Sequence, residues 1–236
     1  MRRILAVMTT THDPAKSTSW AMGQAALGEL QRRVPRSDVR IIDANKLHIV
    51  KNLSCYANGK RDCANPEAGP YRCWAHYESM RDPVKYGGPD QMPVIYDGLQ
   101  WADTVVFCTS TRWGSHSALA QTIIERMDTL ENRGASWGEP YPMEGKRLGV
   151  VAAGLHWKTG AVAQHLAEVY RFFRFTVPED ALLAWQYTRD VNYEQPGIIR
   201  PAVESWLNTT PGAYALVRFG RGLAGVDLAP DPTRRG

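Results

Sequence analysis

The segment TVVFCTSTRWGSHSALAQTIIERMDTL, residues 104–130, decides the fold. It opens as a continuous apolar run over 104–109, the pattern of a central parallel strand buried on both faces. A polar loop follows, made of Thr109, Ser110, Thr111, Arg112, Trp113, Gly114, Ser115 and His116. From Ser117 onward Ala120, Ile123, Met127 and Leu130 recur at helical spacing, which predicts a helix over 117–130. Strand, loop and helix in this order form half of a parallel crossover unit.

The same alternation extends outward from this segment. Residues 3–8 predict a first strand, 9–16 a polar loop, and 17–34 a helix with Trp20, Leu27, Leu30 and Val34 on one face. Ser17, Thr18 and Ser19 stand where an N-cap belongs. Residues 39–43, 148–153 and 181–185 predict three further strands, and 160–173 a helix carrying Val162, Leu166, Val169 and Phe173. Five parallel strands with helical crossovers predict a flavodoxin-type α/β fold with a doubly wound sheet. Pro201 and Pro211 read as helix-start positions for two short C-terminal helices. Residues 1–220 read as one domain. Within it, residues 52–91 form a long Pro- and Gly-rich insert without helical or strand periodicity, and 221–236 a loose tail.

Composition excludes several classes. The chain has 236 residues, 44% hydrophobic and 22% charged, an ordinary globular balance. The net charge of +4 is small and spread along the chain, so no nucleic-acid arm or membrane patch is expected. No apolar run is long enough to span a bilayer, and the N-terminal apolar run is too short for a signal peptide. Four cysteines in this length make no disulfide scaffold, so the expected setting is a reducing cytoplasm.

In an open α/β sheet, ligands sit beyond the carboxyl ends of the strands. Three loops meet there. The first, residues 9–19, lacks G-x-G-x-x-G, which argues against a dinucleotide fingerprint. It is rich in hydroxyls, carries Lys16 and runs into a helix N-terminus, where free amides and the helix dipole favour a phosphate. The plainer reading is a polar loop with an ordinary cap. The second, residues 109–118, offers hydroxyls, Trp113 and Gly114 to a planar polar ring; Trp113 could equally cover core at the rim, with Arg112 and His116 solvated. The third, residues 152–160, carries Gly154, Leu155, His156, Trp157 and Gly160, with packing against another subunit as the alternative role of Trp157.

Residues 109–126, with Ser110, Gly114-Ser115, Ser117-Ala118 and Glu125-Arg126, resemble the second flavin loop of NADPH-dependent FMN reductases, and within that flavodoxin-like superfamily its iron–sulfur flavoprotein branch. Asp90-Gln91-Met92 through Ile95-Tyr96 into Trp101-Ala102-Asp103 resembles the helix and strand before that loop. The resemblance spans roughly 3–175. In the first loop three threonines, His12 and Asp13 replace the usual Ser, Gly and Arg or Pro, while Ser17 and Thr18 match the usual cap. The resemblance implies FMN as cofactor, NAD(P)H as substrate, a small flavin or quinone as acceptor, and a homodimer or homotetramer. Residue by residue, it implies phosphate contacts from Thr10, Thr11, Ser17 and Thr18. Ring contacts fall to Ser110, Thr111, Arg112, Trp113 and Gly114, and a second wall to Gly154, Leu155, His156 and Trp157. No catalytic residue is assigned; His116 and His156 are candidates for proton transfer. Two rivals stand beside this reading: an electron-transfer flavoprotein with an iron–sulfur cluster, and a flavodoxin-like binding module without flavin.

Cys55, Cys63 and Cys73 lie in the insert at spacings Cys-x7-Cys and Cys-x9-Cys, without the compact spacing common in clusters. Three readings compete: free or redox-labile thiols, an iron–sulfur cluster, or a zinc site using these three and His76. Cys108 reads as a small buried hydrophobe.

Overall fold

Strands apolar at every position must be covered on both faces. The computed structural model describes residues 1–56, 63–155, 157–187 and 199–225, and it shows both coverings. Strands β1 (Arg2–Met8), β2 (Ser37–Asp43), β3 (Thr104–Ser110), β4 (Arg147–Leu155) and β5 (Leu182–Tyr187) form one parallel sheet in the order β2-β1-β3-β4-β5. The chain winds away from β1 in both directions, so the switch point lies between β1 and β3.

Alternate residues of each strand enter opposite cores, as the two-residue period of a strand requires. Val105 and Phe107 join Leu5, Val7, Leu148 and Val150 on one face. Val106 and Cys108 join Ile4, Ala6, Met8 and Val151 on the other. The first face is covered by α3 (Met92–Trp101), α4 (Ala118–Ala135) and α5 (Thr159–Phe172). The second is covered by α1 (Thr18–Arg33), α6 (Ile199–Leu207) and α7 (Thr210–Ala224). Cys108 is a buried core residue, as its place in a central strand predicts.

Three sequence expectations need correction. The insert is not structureless: it contains α2 (Trp74–Arg81), whose two turns are too short to register as periodicity. The tail does not begin at Arg221. α7 continues to Ala224, because Leu223 is buried in the core and Arg147 and Arg2 donate to the carbonyls of Gly222 and Ala224 at 2.6 and 3.0 Å. Residues 226–236 of that tail lie outside the described residues. α6 starts at Ile199, before Pro201, whereas Pro211 does sit in the first turn of α7, where Thr209 Oγ1 caps the Gly212 amide at 3.2 Å.

The insert is held against α4 by polar contacts. At its neck, Gln91 N donates to His48 O at 2.7 Å and His48 N to Gln91 Oε1 at 2.8 Å. Farther along, Asn52 Nδ2 donates to Glu125 O at 2.8 Å and Tyr56 Oη to Asn132 Oδ1 at 2.7 Å. Between these lies Arg126 of α4, its side chain 1% exposed, paired with Asp90, whose side chain is fully buried. The guanidinium meets the carboxylate in two hydrogen bonds, of 2.9 and 2.7 Å, and also donates to Val50 O. Val50 N returns a bond of 2.9 Å to Asp90 Oδ1, and Tyr96 Oη donates to Arg126 O at 2.7 Å. Burial alone would raise the Asp90 carboxyl. Contact with His76, whose Nδ1 is 3.5 Å away, and with the Arg126 guanidinium outweighs burial and holds it at about 2.

Removing one partner of a buried pair strands the other charge. Asp90→Asn should therefore lower unfolding free energy by about 3–5 kcal/mol at neutral pH in denaturant titrations. The folded carboxyl titrates below its unfolded value near 3.9, so its contribution is full above that value and lost as pH falls through about 2. The gap between wild type and variant should narrow in step. A gap of equal size at about pH 2.5 and about pH 7 would show that the Asp90 charge contributes nothing.

Candidate functional site

The first loop leaves β1 with its backbone tied to β3. Thr9 N and Thr9 Oγ1 both donate to Cys108 O, at 2.9 and 2.8 Å, and Ser117 Oγ donates to Thr9 O at 3.0 Å. Ser117 caps α4 by accepting from Ala120 N at 3.2 Å. One hydroxyl thus fixes the first loop against the start of the helix that follows the second. Thr10 and Ser17 are buried and share a hydrogen bond of 2.8 Å; Ser17 Oγ lies 3.1 Å from Ser19 Oγ and caps α1 by accepting from Trp20 N at 3.2 Å. The opening turn of α1, with amides that no helical carbonyl can reach, faces this loop. Thr11, His12 and Lys16 are exposed, and Thr18 is half-buried.

The second loop is a tight turn. Arg112 N donates to Ser115 O at 2.7 Å and Ser115 N to Arg112 O at 2.9 Å, with Trp113 and Gly114 at φ of 50° and 76° between them. Two successive positive φ angles are the signature of a type I′ turn, which explains the glycine. The turn projects Trp113 into solvent, 95% exposed, so it is not a core tryptophan. The third loop meets this turn. A Cβ on Gly114 would lie 3.1 Å from Lys158 Cδ and 3.4 Å from the Trp157 ring. Lys158 takes a left-handed φ of 63° at the N-cap of α5, with its Nζ 4.5 Å from the Trp157 ring centroid. Trp157 is 47% exposed.

Gly154 permits the closest approach in the site. A Cβ there would fall 2.3 Å from Thr111 Cβ, 2.7 Å from Thr111 Oγ1 and 2.7 Å from Thr159 Oγ1. Two side-chain oxygens therefore face the same backbone position. Both are buried and have no hydrogen-bond partner among the described residues, and the same holds for Ser110 Oγ. Buried hydroxyls are ordinarily paired, so this cluster is suited to the polar edge of a planar ligand. The residues fit FMN on these grounds: hydroxyls at the strand ends, two tryptophans at the mouth, and a helix N-terminus beside the first loop.

The structure places several of the expected residues together. Ser110, Thr111, Gly114, Gly154 and Trp157 meet around the second and third loops, and Leu155 ends β4. His156 lies outside the described residues. Arg112 departs from the expected ring contact: its Nη2 reaches back to His12 Nε2 in the first loop, at 2.9 Å. Thr9, His12, Ser117 and Thr159 lie at these loops as well, though the sequence reading assigned none of them a cofactor contact. Only the hydroxyls beside a glycine at 154 and a helix start could have drawn attention to Thr159. His116 is buried between α4 and α5, stacked on His165 with ring centroids 5.9 Å apart. Gln121 Nε2 donates to Glu125 Oε1 at 2.8 Å, leaving its Oε1 to accept from His116 Nε2 at 2.7 Å. The buried Nδ1 of His116 has no partner among the described residues.

Cys55, Cys63 and Cys73 line one cavity of about 170 Å³ with Glu125 and Asp128, well along α4 from its N-terminus. No disulfide joins the four cysteines. Among the described residues no group of three or more His, Cys, Asp and Glu side chains is arranged to hold a metal ion. Burial, then Asp128 and Cys73, push the Cys63 thiol far above its ordinary value, which keeps it protonated. No helix of the described residues is long and apolar enough to cross a membrane.

The sequence model of the NADPH-dependent FMN reductase family matches residues 2–189. No curated protein matches the chain. Among solved structures, RosB with bound 8-demethyl-8-formylriboflavin-5′-phosphate is similar over 100% of this chain and 94% of its own, at 15% identity and a TM-score of 0.60. An azoreductase from Bacillus anthracis str. Sterne is similar over 93% of this chain and 100% of its own, at 15% identity and a TM-score of 0.57. FerB, a flavoenzyme NAD(P)H:(acceptor) oxidoreductase from Paracoccus denitrificans, covers 97% of this chain and 100% of its own, at 10% identity and a TM-score of 0.51. At such identities these likenesses show a shared fold, and the family match carries the assignment. A doubly wound sheet and a family match spanning residues 2–189 agree: the chain belongs to the NADPH-dependent FMN reductase family and is an NAD(P)H-dependent flavoprotein oxidoreductase.

Proposed function

We propose that the chain binds FMN across the loops after β1, β3 and β4 and passes electrons from NAD(P)H to a small planar acceptor, a flavin or a quinone. The observation that carries the reading is the pair of buried, unpartnered hydroxyls of Thr111 and Thr159 against Gly154, with the unpartnered Ser110 Oγ at the adjoining strand end. When bound, FMN supplies the hydride and electron chemistry, so the protein needs few acid–base groups. Thr10, Thr11, Ser17 and Thr18 line the phosphate end, beside the amides of the opening turn of α1. Ser110, Thr111 and Thr159 hydrogen-bond the polar edge of the ring. Trp113 and Trp157 cover its faces and exclude water, and Trp157 borders the entry for the nicotinamide. His116, whose Nδ1 has no partner among the described residues, is the candidate proton-transfer group in this reading. The working unit in this proposal is a homodimer or homotetramer in the cytoplasm, where the four thiols stay reduced.

Three outcomes test the reading. The purified protein should be yellow and release FMN, and anaerobic NADH or NADPH should bleach it. Release of FAD, or no flavin uptake from excess FMN, would sink the proposal. Trp113→Ala should weaken FMN binding about two- to tenfold, with apo-protein stability within about 0.5 kcal/mol of wild type. Unchanged FMN affinity with a clear loss of apo stability would remove Trp113 from the site. Gly154→Ala forces Thr111 to move and should lose FMN binding together with about 1–3 kcal/mol of stability; full flavin occupancy in this variant would show that the Thr111–Thr159 cluster is not the ring site.

A further inference from the structure

The first loop poses an electrostatic question. A phosphate monoester at the N-terminus of α1 carries up to two negative charges, yet residues 9–19 contain only one permanently cationic side chain, the exposed Lys16. Asp13 in the same loop is turned to local work, its Oδ1 accepting from Ala15 N at 2.9 Å. The buried hydroxyls of Thr10, Ser17 and Ser19 are already joined to one another. Within residues 9–19 a phosphate would thus meet one permanent cation besides the amides of the opening turn of α1.

A second cation comes from the second loop. The reciprocal hydrogen bonds between Arg112 and Ser115 lock the turn, and positive φ at Trp113 and Gly114 completes the reversal. Trp113 is thrown outward, while the Arg112 side chain crosses to the first loop and puts Nη2 2.9 Å from His12 Nε2. A guanidinium only donates, so His12 Nε2 must accept and the ring must be neutral with its proton on Nδ1. No carboxylate pairs with Arg112 among the described residues. A neutral imidazole is a weak acceptor for a guanidinium, and a phosphate, charged and able to accept two parallel N–H bonds, is a far stronger one.

We propose that Arg112 is the cationic ligand of the flavin's 5′-phosphate, delivered to the first loop from the second, and that His12 holds the guanidinium in place until the phosphate takes it over. This rests on the FMN reading above. The exchange keeps Arg112 hydrogen-bonded with and without ligand, and it makes phosphate recognition depend on both loops at once. The 2′-phosphate of NADPH offers the same chemistry, but the guanidinium lies against the loop that ends at the N-terminus of α1, which favours the phosphate of the flavin.

The test compares apo-protein binding of FMN and of riboflavin, which lacks the phosphate, by quenching of flavin fluorescence. Wild type should prefer FMN. Arg112→Ala should weaken FMN about tenfold or more while changing riboflavin less than about twofold, and Arg112→Lys should fall between. Melting of the apo-variants checks that the turn survives. Equal losses for both flavins, or none for either, would overturn the proposal. So would intact FMN affinity with a KM raised for NADPH but not for NADH, which would move Arg112 to the nicotinamide phosphate. Wild type that binds FMN and riboflavin equally overturns this inference alone; wild type that binds neither overturns it together with the FMN reading.

Discussion

The buried pair of Asp90 and Arg126 is the constraint on which the arrangement around α4 depends. Two full charges out of water are tolerated only when they pair closely and are hydrogen-bonded. Here the carboxylate receives the guanidinium in two bonds and the amide of Val50, while the guanidinium also reaches Val50 O. Every one of these partners belongs either to α4 or to the segments that enter and leave the insert. The pair therefore ties Val50, at the entry, to Asp90, at the exit, through the middle of α4. Hydrophobic contact alone could slide along a helix face; a pair with fixed hydrogen-bond geometry cannot.

That anchoring matters for the site because α4 begins at Ser117. The same hydroxyl that caps the helix also holds the loop after β1 through Thr9. The helix is thus fixed at its N-terminus by the loops that would carry FMN and along its middle by the insert. Between them the sheet supplies a rigid base, since β1, β3 and β4 are buried on both faces.

The cysteines illustrate how convergence differs from coordination. Folding does bring Cys55, Cys63 and Cys73 to one cavity, although their spacing is not the compact one common in clusters. The environment is desolvated and contains carboxylates, so it disfavours thiolate, as the upward shift of Cys63 shows. Asp128 is raised as well, first by burial. A protonated thiol is a poor nucleophile, and this pocket lies well along α4 from the loops that would hold FMN.

Much of this protein was legible from sequence because local patterns carried it. The unbroken apolar strands, the helical spacing after Ser117 and the hydroxyl-rich loops at strand ends all follow from periodicity and capping, which act within a few residues. The flavodoxin-type order followed from chaining these units. Tertiary structure decided what depends on distant partners. The 36 residues between Asp90 and Arg126 and the 100 between His12 and Arg112 hide both pairings from any local pattern. α2 was invisible because two turns carry too little periodicity. The facing of Thr111 and Thr159 across Gly154 arises only when β3 and β4 lie side by side in register, Ser110 opposite Ala153. Sequence determined which elements form and where their loops emerge; the sheet register and a buried charge pair determined which side chains those loops bring within reach of one another.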